Sequence, residues 1–361
     1  MKSRRTLRTG LVSIAAATVA LGFAAAPALG ESFTVGLAPT QGDAVPTGRA
    51  PVQSDALTMA TVNDATVNDA SFAAPSANRI SAVILKAQIL LDRAGFSPGA
   101  IDGRGNRNFR KALAAFQQQH RLSASGMLDQ ATWDVLVGTS AEHVLGEYAI
   151  TEADTRGPFA PDISEEIEDW ARLKRLSYRE PGELLAEKFH MESRLLAVLN
   201  PEAAFDQPGT RIVVARVGRA EPRAAVTRIE VDKPQRRLRA FDKDGRLVGV
   251  YPASIGSEEK PTPNGTFVVR RVARNPEWRY NPRFAFKEIK TTRAFRVAAG
   301  PNNPLGTVWI GISKPSYGIH GTPVPEEVGT TDSHGCVRLT NWDAQALAAM
   351  VRRGTKVEFV E

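Results

Sequence analysis

After Ala225 the apolar residues of the chain follow a period of two. Alternation of apolar and polar side chains predicts strands with one buried face rather than helices. Two dipeptides that tolerate positive φ, Asp244-Gly245 and Asn264-Gly265, lie between apolar runs and predict hairpin turns. Residues 225–361 are therefore predicted to form a mostly β domain. The apolar positions of its first strands are Ile229, Val231, Leu238, Phe241, Leu247, Val250 and Ile255.

One helix is predicted late in this domain. Thr340 can cap its first turn, and Asp343, three residues on, suits a capping box. Gly354 is predicted to end the helix, and Val357 and Phe359 to lie on a last strand that closes the sheet. The apolar face of the helix is predicted at Ala344, Leu347, Ala348 and Val351.

Residues 78–140 carry apolar stripes at helical spacing and predict three short helices. The first stripe stops at Gly95, and the third follows a predicted cap at Asp129. The segment resembles the three-helix peptidoglycan-binding module, which implies a contact with glycan that the sequence leaves open. The resemblance rests, in order, on Gly99-Ala100-Ile101-Asp102-Gly103, Phe116-Gln117, Gly126 and Thr132.

Residues 176–217, after a predicted linker at 141–175, resemble a LysM module. The resemblance rests on the stretches 181–189, 195–201 and 209–214. It implies two helices packed on a short sheet and a surface for N-acetylglucosamine chains. A spacer that shares this fold without binding glycan is the alternative.

The first 30 residues have the form of a signal peptide, with a basic start and an uncharged apolar run from Leu11 to Ala28. A membrane anchor is the less favoured interpretation, because the run is rich in Ala and contains Pro27 near its end. Residues 31–77 are predicted to be a flexible tether. We therefore expect an exported protein of the periplasm or cell wall, without an integral membrane segment after leader cleavage, by either the Sec or the twin-arginine route.

The charge of the chain does not indicate a nucleic-acid partner. Leader cleavage removes four basic residues and lowers the formal net charge from +7 to +3. A protein that neutralises many phosphates needs clustered Lys and Arg residues with aromatic stacking partners. No nucleic-acid partner is expected.

The chain has a single cysteine, Cys336. In an oxidising compartment it has no disulfide partner within the chain, which leaves a chemical role or a buried inert thiol. It lies sixteen residues after His320, a separation that a loop can close. A free thiol is only slightly ionised at neutral pH, so a nucleophilic cysteine needs a base or an imidazolium nearby. Gly335, with no Cβ, would let a substrate approach the backbone.

The order of residues 317–322, Tyr-Gly-Ile-His-Gly-Thr, followed by 333–339, Ser-His-Gly-Cys-Val-Arg-Leu, resembles the signature of the L,D-transpeptidase (YkuD-type) family. Upstream, residues 254–256 and 261–267 match further elements of that family in the same order. The resemblance covers residues 226–361. It implies a β-sandwich-like catalytic domain that cleaves the diaminopimelate–D-alanine bond of a peptidoglycan tetrapeptide stem and passes the acyl group to an amine.

The resemblance also implies roles for the residues of the signature. Cys336 is the nucleophile, and His320 is the base, oriented by a backbone carbonyl near Gly321. The N–H groups of Gly335 and Cys336 are the candidates for an oxyanion hole. Arg338 is expected either to meet a carboxylate of the stem or to brace the loop.

Two neighbours of the cysteine, Ser333 and His334, are expected to shape the turn through hydrogen bonds. No cofactor is implied. A zinc site is not expected, because Zn²⁺ needs three or four ligands and the remaining histidines lie in other modules. These histidines are His120, His143 and His190.

Several alternatives stay open at the level of sequence. The acceptor could be a second diaminopimelate amine, the lysine of a wall-attached lipoprotein or a free D-amino acid. Release of the thioester to water would make the protein an L,D-carboxypeptidase or a crosslink-cleaving endopeptidase. A non-catalytic wall-binding protein is the alternative from another class.

Overall fold

The computed structural model describes residues 57–67, 79–218, 224–257, 260–284, 289–333 and 335–361. The predicted signal peptide and most of the predicted tether lie outside these ranges, and so does His334. Across the described ranges, none of the helices combines the length and the apolar character that a membrane span requires.

The first half of the described chain is mainly helical. A short antiparallel sheet of β1 (Leu145–Ala149) and β2 (Arg211–Ala215) accompanies the helices. The helices are α1 (Met59–Asn63), α2 (Ala82–Ala94), α3 (Arg107–Gln119), α4 (Gln130–Val137), α5 (Glu152–Thr155), α6 (Pro181–Lys188) and α7 (Ser193–Leu199).

The three predicted helices of the 78–140 segment are confirmed as α2, α3 and α4. Gly95 ends α2 with a φ of +88°, a conformation that glycine adopts without steric cost. The carboxylate of Asp129 caps α4 by accepting from the Thr132 amide at 2.7 Å.

Most buried apolar side chains of residues 79–218, called here the accessory region, share one hydrophobic core. Buried side chains of α2, α3 and α4 belong to the same cluster as those of α6 and α7. The predicted linker at 141–175 supplies β1, the strand that pairs with β2. The prediction of a linker over all of residues 141–175 was therefore wrong. Helices α6 and α7 pack on a sheet in which β2 is paired with β1, and β1 comes from this segment. Sharing a core also buries more apolar surface than two small modules could bury separately.

Helix α1 lies inside the segment predicted as a flexible tether. Its last residue, Asn63, accepts through Oδ1 from the amides of Val144 and Leu145 at 3.0 and 2.9 Å. Lys86 donates through Nζ to the Asn63 carbonyl at 2.7 Å. Residues 57–67 are thus bound to the accessory region, and the prediction of a flexible tether was wrong for them.

From Ala225 onward the chain forms the predicted mostly β domain. Its strands are β3 (Arg228–Asp232), β4 (Arg237–Phe241), β5 (Leu247–Pro252), β6 (Gly265–Arg274), β7 (Trp278–Tyr280), β8 (Phe295–Val297), β9 (Val308–Ile312), β10 (Gly318–His320), β11 (Val337–Arg338) and β12 (Lys356–Val360). A mixed eight-stranded sheet has the order β11-β10-β9-β6-β12-β3-β4-β5, and β7 pairs separately with β8. Helix α8 (Asn341–Met350) packs against β9 and β10.

One of the two predicted hairpins is confirmed and the other was wrong. Gly245, at a φ of +76°, lies in the turn that joins β4 to β5. Gly265 begins β6, which pairs with β12 and β9, whereas β5 lies at the far edge of the sheet. The chain before Gly265 therefore crosses between strands that are not neighbours. Alternation predicts that a segment is a strand but does not specify its partner.

The predicted cap of the late helix is confirmed, since the Thr340 hydroxyl accepts from the Asp343 amide at 3.2 Å. The capping box was wrong, because the Asp343 carboxylate accepts from the Ser97 hydroxyl at 2.8 Å in the accessory region. The helix ends at Met350 rather than at Gly354, which lies in the turn before β12 with a φ of +93°.

We predict that the accessory region unfolds as one unit, and Phe116→Ala tests this. Phe116 is fully buried and makes an edge-to-face contact with Phe96 at a centroid distance of 5.4 Å. Its truncation should lower the free energy of unfolding by about 3–5 kcal/mol and speed amide exchange in α6 and α7 as well as in α3. Urea denaturation and hydrogen exchange measure the two effects. The control is Gln118→Ala on the exposed face of α3, and equal effects of both substitutions would contradict the prediction.

Candidate active site

Parallel pairing of β10 with β11 brings Cys336 beside the strand that carries His320. His320 lies opposite Arg338, and Ile319 lies opposite Val337. Cys336 directly precedes β11, so it lies beside the strand that carries His320. The intervening loop, residues 321–335, returns the chain to the adjacent position in the sheet.

The His320 ring is held from two sides. Its Nδ1 lies 2.7 Å from the Gly321 carbonyl oxygen, and its face stacks on Trp309 at a centroid distance of 5.7 Å. A carbonyl oxygen can only accept, so the proton of the neutral ring resides on Nδ1. The free lone pair is then on Nε2, which is the state that a general base requires.

Burial keeps both members of the pair uncharged. It lowers the pKa of His320 to about 4, with the nearby positive charge of Arg338 acting in the same direction. Burial also raises the pKa of the Cys336 thiol to about 11, against the opposing effects of the Gly318 amide and Arg338. Between these values the site holds a thiol and a neutral imidazole. Desolvation outweighs the charges that would stabilise a thiolate.

The sulfur of Cys336 has backbone partners. Its Sγ–H donates to the Ser316 carbonyl at 3.8 Å, and the nearby Gly318 backbone acts to lower the pKa of the thiol. Ser316 has a φ of +68°, an uncommon conformation for a residue other than glycine. Although its surroundings are mostly desolvated, Cys336 is not fully buried, and its partly exposed surface leaves a path for a substrate.

Two neighbours of the cysteine fix the turn before β11. Gly335 has a φ of +102°, and a Cβ added there would lie 3.2 Å from the Tyr317 ring. The buried hydroxyl of Ser333 donates to the Cys336 carbonyl at 2.5 Å, and the Ser333 amide donates to the Ile255 carbonyl at 2.7 Å. Ser333 thus makes hydrogen bonds on both sides of the turn, and the expectation for His334 concerns a residue outside the described ranges.

Gly321 lies where a side chain would not fit, because an added Cβ would be 2.1 Å from Asn341 Oδ1. Arg338 exchanges two backbone hydrogen bonds with Ser254, at 2.8 and 2.9 Å. These backbone bonds join the start of the chain after Cys336 to residue 254, and the two expectations for the Arg338 side chain stay predictions. The charge of Arg338 also disfavours protonation of His320.

Three residues near the pair were missed by sequence reasoning, namely Trp309, Ser316 and Asn341. Trp309 falls within an apolar strand pattern, which does not indicate a contact with the histidine. Ser316 acts through its backbone carbonyl, to which its side chain gives no clue. Asn341 directly follows the predicted cap Thr340, and this position at the start of the helix was the only sequence signal that could have pointed to it.

Residues 226–359 match the YkuD family, described as "L,D-transpeptidase catalytic domain", and residues 81–136 match the family described as "Putative peptidoglycan binding domain". The curated "Putative L,D-transpeptidase YkuD" of Bacillus licheniformis is 33% identical over 180 residues, which cover 49% of this chain and 93% of that protein.

Other similar proteins share a smaller part of their length with this chain. The "Probable L,D-transpeptidase YbiS" of Escherichia coli K12 is 35% identical over 136 residues, which cover 37% of this chain and 44% of that protein. A crystal structure of L,D-transpeptidase 3 from Mycobacterium tuberculosis aligns with a TM-score of 0.31 and 21% identity, over 37% of this chain and 60% of that one.

The catalytic domain is thus of the YkuD class, and the chain also contains a helical domain of the peptidoglycan-binding type. The chain belongs to the L,D-transpeptidase family.

The uncharged pair predicts a characteristic pH dependence of thiol alkylation. The rate of reaction of Cys336 with iodoacetamide should be low at neutral pH and rise about tenfold per pH unit until the pH nears 11, because only the thiolate reacts. Intact-mass spectrometry measures this rate directly, since Cys336 is the only cysteine. Cys336→Ser gives the background. A rate that is already constant from about pH 6 would instead reveal a stored thiolate–imidazolium pair.

Proposed function

We propose that this protein is an L,D-transpeptidase that acts on peptidoglycan tetrapeptide stems. Cys336 attacks the carbonyl carbon of the diaminopimelate–D-alanine bond, and the resulting acyl group passes to an amine. The observation that carries the proposal is the His320–Gly321 hydrogen bond of 2.7 Å on the strand beside Cys336. It leaves Nε2 of the histidine available as a base for the thiol.

Acylation begins with a proton transfer. As Sγ approaches the donor carbonyl, its proton moves to His320 Nε2 and the sulfur–carbon bond forms. The backbone N–H groups of Gly335 and Cys336 are assigned to the developing oxyanion, because they adjoin the nucleophile in the chain and Gly335 has no Cβ to obstruct close approach. Collapse breaks the carbon–nitrogen bond, and the imidazolium returns its proton to the amine of departing D-alanine.

The uncharged resting state of Cys336 and His320 suits this order of steps. A thiol with a pKa of about 11 is deprotonated during attack rather than before it, so the imidazolium forms only as the sulfur transfers its electrons to carbon. The charge of Arg338 disfavours the imidazolium and thereby favours its rapid deprotonation by the leaving amine. Arg338 is proposed to act as a brace of the loop in addition to this electrostatic role.

Deacylation repeats these roles with an acceptor amine. The amine attacks the thioester carbonyl and gives its proton to His320, while the sulfur leaves and regains a proton. A second diaminopimelate, a lipoprotein lysine or a free D-amino acid can each supply that amine. Water in the same position yields hydrolysis.

The accessory region is proposed to hold the enzyme on peptidoglycan outside the cytoplasm. The match of residues 81–136 to a peptidoglycan-binding domain supports this role, as does the form of the first 30 residues. The LysM-like helices α6 and α7 are proposed as an additional glycan contact, with a spacer as the alternative.

The proposed mechanism predicts the behaviour of two active-site variants. With a tetrapeptide stem as donor, Cys336→Ser should abolish D-alanine release, because a serine hydroxyl is far less acidic than a thiol. His320→Ala should slow release by about 10²–10⁴-fold, as expected for the loss of a general base. Chromatography of released D-alanine measures both rates, and His143→Ala in the accessory region is the matched control.

The same assay separates transfer from hydrolysis. An added diaminopimelate amine should accelerate D-alanine release and appear in a crosslinked product. If the rate of D-alanine release does not depend on the added amine and the product is free tripeptide, the result would favour L,D-carboxypeptidase activity. Wild-type rates of release in Cys336→Ser would overturn the cysteine mechanism.

A further inference from the structure

The first turn of α8 is held by the accessory region. His190 stacks on Trp342 with parallel rings at a centroid distance of 5.1 Å. Ser97 donates to the Asp343 carboxylate, and both side chains are buried. This turn begins five residues after Cys336, so its position affects the strand that carries the nucleophile.

The third contact of this turn joins Asn341 to Glu187 of α6. Asn341 is fully buried, and its Nδ2 donates to Glu187 Oε2 at 2.8 Å. The other carboxylate oxygen of Glu187 accepts from the Tyr178 hydroxyl at 2.7 Å. Both oxygens of Glu187 thus have fixed donors, which sets the position of the carboxylate and hence of the Asn341 amide.

On its other side, Asn341 supports the backbone around the histidine. Its Oδ1 accepts from the Thr307 amide at 3.0 Å, just before β9. The same oxygen would lie 2.1 Å from a Cβ on Gly321, so the glycine backbone lies directly against it. Gly321 in turn supplies the carbonyl that accepts from His320 Nδ1.

We propose that Glu187 of the accessory region is a positioning residue for His320, acting through Asn341 and Gly321. This inference rests on the proposed function. The carboxylate fixes the Asn341 amide, the amide fixes the Gly321 peptide, and that peptide sets the tautomer and orientation of the catalytic imidazole. The accessory region therefore contributes to the chemistry itself, besides any contact with glycan.

The test compares rates of acylation by a penem, which reports only the first half of the reaction. Assays are run at pH 8, because burial raises the pKa of Glu187 to about 7 and the carboxylate is then mostly ionised. Glu187→Ala should slow acylation about tenfold, since small misplacements of a catalytic group have effects of this size or larger. Glu187→Gln should stay within about threefold of wild type, because its amide oxygen can still accept from Asn341.

A matched control separates positioning from general destabilisation. Asp154 accepts from Lys188 on the same helix α6 at 2.8 Å and has no contact with Asn341. Asp154→Ala should lower the melting temperature yet acylate within about twofold of wild type, since its effect is confined to stability. If Glu187→Ala does not fold, Glu187→Asp replaces it, because the shorter side chain withdraws the carboxylate from Asn341.

Each outcome decides the proposal. Slow acylation in Glu187→Ala or Glu187→Asp, with near wild-type rates in Glu187→Gln and Asp154→Ala, supports it. Wild-type rates in the Ala or Asp variant overturn it, and so does equal slowing in the Gln variant or in Asp154→Ala. Absence of a Cys336 adduct in the wild-type protein would instead refute the proposed function, so the two failures are distinguishable.

Discussion

The parallel pairing of β10 with β11 is the interaction on which the site depends. It places Cys336 beside the His320 strand and sets His320 opposite Arg338. Parallel neighbours need a crossover, and here the chain between β10 and β11, which includes a short 3-10 turn at Pro325–Glu327, provides it. The glycine at the end of this loop has a backbone conformation that other residues rarely adopt, and the buried Ser333 hydroxyl closes the turn. The position of Cys336 beside the His320 strand is thus a consequence of sheet register.

The site is also supported from outside the catalytic domain. The accessory region contacts α8 through Glu187, His190 and Ser97, and α8 follows directly on the cysteine strand. Buried polar contacts of this kind specify one relative position of two surfaces, because an unpartnered group would carry a desolvation cost of about 1–3 kcal/mol. The accessory region, for which sequence left glycan binding and a spacer role open, therefore contacts the element that follows the cysteine strand.

Local signals predicted much of this architecture. The apolar stripes and caps defined α2, α4 and α8, and the signature around Cys336 identified the pair with His320. The misassigned turn at Asn264-Gly265 shows the limit, because strand partners are chosen by long-range packing that alternation does not encode. The Glu187–Asn341 bond spans 154 positions and depends on how two regions dock. The uncharged state of the pair was also beyond sequence reasoning, since it results from burial.

The central claim is that Cys336 forms the acyl-enzyme, and peptide mapping tests it most directly. The protein is incubated with a tetrapeptide donor without an acceptor amine, quenched in acid, digested and analysed by mass spectrometry. The account predicts a tripeptidyl mass on the fragment that contains Cys336, and its formation should depend on His320. D-alanine release with no adduct at Cys336, or with the adduct on another residue, would contradict the account.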